Sequence, residues 1–230
     1  MTADASGSGG LVLSDLRLDP PGAARLRHGL GTRSPLGFAR RVVAVGTELA
    51  TATLLDRLRP LTGGVRRVEA GIAPSGTGRI ALYLHWSPSG AVSAMVLGQL
   101  AAWRAAGFDV VFVTNTTPPG ADWEAVGMQA TLRIARDNVG RDFGGWRDAL
   151  GLALDRIGAP EELLLANDSV LGPVRPIAPV LKVMRDGGPG LFGMTESRGG
   201  GAHLQSYLLL ASGAEAVAEV GRHLAACRPA

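Results

Sequence analysis

The sequence predicts an α/β protein with a mostly parallel sheet that is flanked by helices and preceded by an N-terminal helical appendage. Short apolar runs, typical of strands buried on both faces, recur after residue 78. Stretches with the 3.6-residue period of amphipathic helices separate these runs, and this alternation implies right-handed crossovers between parallel strands. Of the 230 residues, 46% are hydrophobic and 19% are charged, so a wholly disordered chain is excluded.

The residues before the first apolar run are predicted to lie outside the sheet. Residues 1–37 begin with small polar residues and then show no regular period, which predicts a disordered or irregular lead-in. Residues 38–59 place apolar side chains on one face of a helix, and Pro60 ends it. This helix either packs on the domain or a partner protein, or lies in a membrane interface with its arginines toward anionic headgroups. Residues 38–78 together are interpreted as a helical appendage with its linker.

The sheet domain, residues 79–230, is predicted to open with two strands joined by a helix. Residues 79–85 and 109–115 are the apolar runs expected of buried strands. The helix between them has one apolar face, with Ser-Pro-Ser-Gly at 87–90 as its capping sequence and Gly107 as its stop. The remaining predicted elements are a loop at 116–120, strands at 130–135, 162–166, 190–195 and 204–210, and helices at 143–157 and 178–185.

Polar residues follow four of the predicted strands, at the point where each strand ends. The carboxyl ends of parallel strands meet at one edge of a sheet, and ligands bind beyond that edge where the strand order reverses. The sequence therefore predicts a ligand site at one rim, formed by His85, Asn115, Asp137, Asn138, Asn167 and Asp168.

The segment R-D-N-V-G-R-D-F-G-G-W-R-D has the composition of an anion-binding turn. Gly140 lets the backbone approach a ligand, and a helix that starts after it directs N–H groups toward a phosphate. Arg141 and Arg147 supply guanidinium groups that suit a diphosphate. Asp137 or Asn138 is suited to hydrogen-bond a base or a ribose. The alternative interpretation is a glycine turn with surface Arg–Asp pairs.

Asn167 and Asp168 form a candidate metal site at the end of a buried strand. Asp168 can hold a divalent cation, manganese or magnesium, that bridges two phosphates, with Asn167 as a neutral oxygen ligand. The alternative interpretation is an Asx turn that ends the strand.

Glu196 and His203 flank three consecutive glycines and are candidate general bases near neutral pH. For His203, a structural hydrogen-bonding role at the start of a strand is an equally good interpretation. The motifs G-x-S-x-G and H-E-x-x-H are absent, and the single cysteine, Cys227, has no pattern of a nucleophile. Hydrolysis through a nucleophile or zinc is therefore disfavoured.

Charge and cysteine content restrict the class of partner and compartment. The net charge of +3 comes from arginines spread along the chain, with Lys182 the one lysine, so no nucleic-acid interface is predicted. The lone cysteine, the lack of a secretory leader and the lack of an 18-residue apolar run predict a cytoplasmic protein. The helix at 38–59 adds the option of peripheral contact with the inner membrane face.

Residues 79–210 resemble the rhamnan synthesis protein F family of bacterial polysaccharide-assembly proteins, which is associated with glycosyltransferases of the GT-A type. The resemblance is carried, in this order, by ALYLHWSPSG, GFDVVFVTN, RDNVGRDFGGWRDAL, LLLANDSVLGP, and GMTES followed by HLQSY. It implies a GT-A-like, Rossmann-like glycosyltransferase domain over residues 79–230. Such a domain would transfer a sugar, with rhamnose the first candidate, from a nucleoside-diphosphate donor to a glycan or lipid-linked glycan acceptor.

The resemblance also implies roles for individual residues. The residues around the nucleotide would be His85, Asn115, Asp137 and Asn138, and those at the diphosphate Arg141 and Arg147. Asn167-Asp168-Ser169 is similar to the metal-binding Asp-x-Asp of GT-A enzymes, but it has one carboxylate where that signature has two. Metal affinity is then weaker, or arginine carries the charge of the leaving diphosphate. If transfer is inverting, Glu196 is preferred over His203 as the base for the acceptor hydroxyl.

Two alternatives stay open at the level of sequence. The first is a non-catalytic scaffold that binds a nucleotide-sugar or a glycan within a polysaccharide-synthesis complex. The second is another nucleotide-dependent Rossmann-like enzyme, although Trp86-Ser-Pro-Ser-Gly90 is not the glycine-rich loop that such an enzyme carries after its first strand. The chain ends soon after its last predicted strand, which is compatible with an acceptor site that is truncated or depends on a partner.

Overall fold

A computed structural model describes residues 64–73, 76–198 and 202–227. The described residues fall into two compact units: residues 196–198 and 202–203 belong to one, and all others to the second. The predicted lead-in at 1–37 and the predicted helix at 38–59 lie outside the described residues.

The elements in chain order are β1 (Val65–Ala70), β2 (Arg79–His85), α1 (Ala94–Ala105), β3 (Asp109–Thr114), α2 (Gly120–Gly127), β4 (Leu132–Arg136), α3 (Arg141–Ile157), β5 (Glu162–Asn167), α4 (Ala178–Asp186), β6 (Gly190–Gly193), β7 (Glu196–Ser197), β8 (His203–Leu204), β9 (Leu208–Ser212) and α5 (Ala214–Ala226). The short strands β7 and β8 form a two-stranded sheet.

The larger unit contains a seven-stranded sheet in the order β1-β4-β3-β2-β5-β9-β6. The four central strands β4, β3, β2 and β5 run parallel to one another. The pairs β1–β4, β5–β9 and β6–β9 are antiparallel. The sheet is therefore mixed, and the prediction of a mostly parallel sheet is wrong for the flanking strands, because an apolar run alone does not reveal strand direction.

Helices cover both faces of this sheet, as predicted. One core joins the sheet to α1, α2 and α4 through Val96, Leu100, Trp103, Trp123, Val126, Leu181 and Met184. The other core joins it to α3 and α5 through Trp146, Ala149, Leu150, Ala153, Val217 and Leu224. Strand residues alternate between the two cores, as the pleat requires: Ala81 and Tyr83 face the first, while Ile80 and Leu82 face the second.

The strand order reverses between β2 and β5. From β2 the chain passes through α1 to β3 and then to β4 on one side. Helix α3 then carries it back across the opposite face of the sheet to β5, on the other side of β2. The carboxyl ends of β2 and β5 consequently border a crevice, the usual ligand position in such sheets.

Most predicted elements after residue 78 are confirmed, with shifted ends. Helix α1 is capped by Ser93, whose Oγ accepts the backbone N–H of Val96, and not by the Ser-Pro-Ser-Gly sequence before it. Gly107, with a φ of 88°, ends α1 as predicted. Four elements were missed: β1, α2, α5 and the two-residue strand β7. The single strand predicted at 204–210 is two strands, β8 and β9, which belong to different sheets. Strand β1 is largely exposed at a sheet edge and carries charged residues, so it has no apolar run to reveal it.

Candidate functional site

A single carboxylate joins the ends of β2 and β5 at the crevice. Asp168 Oδ2 accepts the backbone N–H of Trp86 at 3.0 Å and lies 4.0 Å from His85 Nε2. The other ring nitrogen of His85, Nδ1, lies 3.0 Å from Thr114 Oγ1 at the end of β3. His85 is 1% exposed, whereas 21% of the Asp168 side chain is exposed. Asp168 is therefore the member of this cluster that a ligand can reach.

Burial governs the charge states of this pair. Loss of solvent raises the pKa of Asp168 and lowers the pKa of His85, because each charged form is poorly solvated there. The attraction between the two side chains opposes both shifts, as does the Trp86 N–H for Asp168. The geometry thus favours a neutral His85 beside a carboxylate that binds a proton more readily than usual.

A second carboxylate reaches the same place from the first turn of α3. Asp142 Oδ2 accepts Nδ2 of Asn167 at 2.6 Å. Asn167 Oδ1 accepts the backbone N–H of Ser169 at 3.1 Å, so the Asx turn of the alternative interpretation is present. The negative charge of Asp142 also adds to the raised pKa of Asp168, after the effect of burial. A second carboxylate, from another segment, thus lies close to the N-D-S sequence.

The opposite half of the rim is organised by Arg136, whose side chain is 0% exposed. Its Nη1 donates to Asn115 Oδ1 at 2.7 Å and its Nη2 to the carbonyl of Val139 at 2.7 Å. Its Nε donates to Asp148 Oδ2 at 3.0 Å. This ion pair fixes the end of β3, the loop after β4 and the body of α3 to one another.

The start of α3 has an unusual backbone. Gly140 and Arg141 both adopt the left-handed conformation, with φ values of 74° and 47°. This conformation is uncommon for a residue other than glycine. The Arg141 side chain is exposed and makes no ion pair with any residue that the structure describes. Within the described part of the chain, Arg141 is thus a cation without an ionic partner at the N-terminus of α3, which borders the crevice.

The structure does not bring every predicted residue into this cluster. Asp137 forms an ion pair with Arg66 of β1, and Asn138 is exposed. Arg147 binds Asp148 at 2.9 Å and donates through Nη1 to the Cys227 carbonyl at 3.0 Å, so it connects α3 to the end of α5.

The two candidate bases belong to the smaller unit. Glu196 forms an ion pair with Arg198 at 3.2 Å, and His203 begins β8. Their catalytic role stays a prediction.

The oxygen atoms at the crevice are of the type that hard divalent cations prefer. They come from the carboxylates of Asp168 and Asp142 and the amide of Asn167. No group of three or more His, Cys, Asp or Glu side chains is placed to hold a metal within the described parts of the chain. A cation would therefore depend on oxygen atoms of its ligand to complete its coordination.

Three residues of the site were not predicted from the sequence: Trp86, Asp142 and Arg136. Trp86 directly follows a strand-end residue that was selected, and its half-exposed ring lies at the rim. Asp142 occupies the first turn of a helix that crosses back to β5, so its position depends on strand order. Nothing in the sequence distinguishes Arg136 from other charged residues at strand ends, because its role follows from its burial.

A cavity of about 330 Å³ lies beside the rim on the β5 side. Its lining is mostly apolar and includes Trp103, Val170, Leu171, Ile177 and Met194, and it shares Asn167 with the rim. Leu171 and Val174 at its mouth are 80% and 88% exposed. The cavity thus offers a second binding surface next to the carboxylates.

Comparison with known proteins finds a family match for part of the chain. A family model described as rhamnan synthesis protein F matches residues 110–212, which run from β3 to β9 and leave β2 with His85 outside. Uncharacterized protein y4gN of Sinorhizobium fredii (strain NBRC 101917 / NGR234) is 30% identical over 176 residues, which is 75% of this chain and 42% of that protein. The chain therefore spans less than half the length of this relative. No solved structure matches the chain. Among the described residues, none of the helices combines the length and the apolar character that a membrane span requires.

Proposed function

We propose, from the rhamnan synthesis protein F pattern over residues 110–212, that this chain is a GT-A-like glycosyltransferase of bacterial cell-surface polysaccharide synthesis. It transfers a sugar, with rhamnose as the first candidate, from a nucleoside-diphosphate donor to a glycan or lipid-linked glycan. The observation that carries the proposal is the meeting of Asp168, Asp142 and the first turn of α3 at the reversal of strand order.

The donor diphosphate binds between the carboxylates and the N-terminus of α3. The free N–H groups of that first turn carry a partial positive charge that favours phosphate oxygens. Arg141, exposed and without an ion pair among the described residues, adds a full charge at the same place. Asp168 and Asp142 would repel a diphosphate alone, so they suit a site that also takes manganese or magnesium. The bound cation would neutralise the charge that develops on the leaving diphosphate.

Neighbouring residues hold Asp168 in position for this role. The Trp86 N–H fixes one of its oxygens, and the neutral His85 ring fills the space beneath it. The Asx turn at Asn167 orients the backbone that carries Asp168. The acceptor enters from the side of the 330 Å³ cavity, whose apolar wall suits the nonpolar part of a lipid-linked glycan. If transfer is inverting, the acceptor hydroxyl loses its proton to a general base, the role that the sequence predicts for Glu196 in preference to His203.

A second candidate function is a non-catalytic module that binds the nucleotide-sugar as part of a synthesis complex. One observation favours it: both rim carboxylates already accept hydrogen bonds from the protein, Asp168 from Trp86 and Asp142 from Asn167. Such a module would bind the donor and release no nucleoside diphosphate.

The test is a calorimetric titration of the purified protein with uridine, thymidine and guanosine diphosphates, each with and without manganese. We expect at least one to bind, more tightly with manganese, and Asp168→Asn to abolish the manganese dependence while the fold is kept. Asp155→Asn is the matched control, since it removes an exposed carboxylate elsewhere on α3. Absence of binding for all three diphosphates would contradict both candidate functions. Binding without sugar transfer from the matching nucleotide-sugar would favour the non-catalytic module.

A further inference from the structure

The side chain of Asn115 has a fixed orientation at the rim. Arginine has only hydrogen-bond donors, so the amide oxygen of Asn115, and not its nitrogen, must face Arg136 Nη1 at 2.7 Å. The backbone N–H of Asn115 donates to the His85 carbonyl at 3.1 Å, which holds the residue to the end of β2. Rotation of the amide by 180° would place two sets of donors against each other.

This orientation leaves the Asn115 amide nitrogen as an unused donor. Asn115 is 7% exposed, and its Nδ2 has no hydrogen-bond partner among the described residues. It is also not among the polar atoms of the described residues that are both without a partner and fully closed off from solvent. A buried residue thus presents an N–H₂ group to the rim with a direction that Arg136 determines.

The surroundings of this donor suit a neutral group. The charge of Arg136 is compensated by Asp148 at 2.9 Å. The hydroxyls of Thr114 and Thr116, the chain neighbours of Asn115, lie 3.0 Å apart. Strand β3 is two strands from β5, which places Asn115 roughly 10 Å from the end of β5. This separation is within the reach of the ribose and base of a nucleotide whose diphosphate lies at Asp168.

We propose that Asn115 reads the base of the donor and selects an oxo group over an amino group. This inference rests on the proposed function and specifies its substrate class: uracil, thymine or guanine, but not cytosine or adenine. The Nδ2 donor satisfies a carbonyl oxygen, whereas an exocyclic amino group would leave two donors facing each other. The selection requires Arg136, because a free amide would turn its oxygen toward an amino group.

The experiment compares uridine with cytidine diphosphate, and inosine with adenosine diphosphate, by calorimetry in the presence of manganese. Each pair differs at the oxo or amino group and at the adjacent ring nitrogen, which carries a hydrogen only in the oxo base. We expect the wild-type protein to bind the oxo member of its preferred pair about tenfold or more tightly. The wild-type comparison needs no variant, so it stands whether or not a substitution folds.

Asn115→Asp tests the assignment. The new carboxylate still accepts from Arg136 and presents an oxygen where Nδ2 was, so the preference should reverse toward the amino base. Thr117→Asp adds the same charge in the adjacent exposed loop and should leave the ratio of the two affinities unchanged. Equal affinity for both members of each pair in the wild type, the result expected if Asn115 contacts only ribose, would overturn this inference alone. Failure of every nucleoside diphosphate to bind would overturn it together with the proposed function.

Discussion

Asp168 connects the neighbouring strands β2 and β5 at the candidate site. Its carboxylate follows the end of β5 but accepts a hydrogen bond from the backbone N–H of Trp86, the residue directly after β2. Because that N–H comes from the main chain, no substitution at Trp86 except proline removes it. The buried His85 ring next to it excludes water from one side of the carboxylate. The position of Asp168 therefore depends on the sheet and not on mobile side chains.

The shifted pKa values of His85 and Asp168 predict a specific dependence of the free energy of unfolding on pH. Burial lowers the pKa of His85 below 6.5, so in the window below pH 6.5 the unfolded chain binds a proton that the folded chain does not. This contribution to the free energy of unfolding is complete above pH 6.5 and is lost as the pH falls. His85→Gln should therefore reduce the loss of stability between pH 6.5 and 5, measured by urea unfolding.

The control for this measurement is His223→Gln, which removes an exposed histidine on α5 together with its ion pair to Glu219. Because an exposed pair contributes little, its effect on the pH profile should be small beside that of His85→Gln. Asp168 acts with the opposite sign, since its raised pKa favours the folded state at acid pH. The quantity to compare is thus the difference between variant and wild type at each pH. An unchanged profile in His85→Gln would mean that His85 binds its proton in the folded state.

At the scale of elements, α3 determines where the rim residues lie. Its residues Trp146, Ala149, Leu150 and Ala153 form one buried face at helical spacing, so the sheet fixes its rotation. Gly144 lies against the loop from β4: a Cβ there would come within 3.0 Å of the Val139 carbonyl oxygen. The same carbonyl accepts from Arg136, so this close approach keeps the loop and the helix in register.

Two alanine substitutions on α3 test this packing. Gly144→Ala should lower the free energy of unfolding by about 1–3 kcal/mol, because backbone must move to admit the methyl group. Gly151→Ala is the matched control: nothing lies within 4 Å of its Cβ position, so helix propensity should raise stability by about 0.5–1 kcal/mol. Urea unfolding measures both. Equal effects of the two substitutions would contradict the packing of α3 against the loop at Val139.

The elements that the sequence predicted are those with strong local signals. The apolar runs at β2, β3 and β5 are buried on both faces, which is why they were recognisable. Strand β1 is exposed and charged, and α2 is only eight residues long, so neither has a pattern of its own. Their formation depends on tertiary contacts, such as the packing of the Trp123 ring against Arg67 and Arg133.

At the scale of the molecule, the site is assembled by topology. Local sequence predicted that polar residues follow each strand, and parallel pairing brings these strand ends to one edge. It could not predict which of them become neighbours, since that depends on the order β4-β3-β2-β5. Asp142 illustrates this limit: it is 26 residues from Asp168 in the chain, yet the return of α3 across the sheet brings it to Asn167.

The same topology separates the residues that are proposed to bind the two ends of the ligand. Asp168 and Asp142 lie where β5 ends, and Asn115 lies two strands away. A nucleoside diphosphate that spans this distance would contact the ends of β5, β2 and β3 and the first turn of α3 at once. The proposed nucleotide site requires this simultaneous contact.

Hydrogen–deuterium exchange with mass spectrometry tests whether one ligand contacts these segments together. Uridine, thymidine and guanosine diphosphates are added in turn with manganese. We expect one of them to slow exchange in four segments together, residues 85–91, 115–118, 137–142 and 167–172, and to leave α4 and α5 unchanged. The protection should disappear in Asp168→Asn. Protection confined to one of these segments, or located elsewhere in the sheet domain, would contradict a nucleotide site at the reversal of strand order.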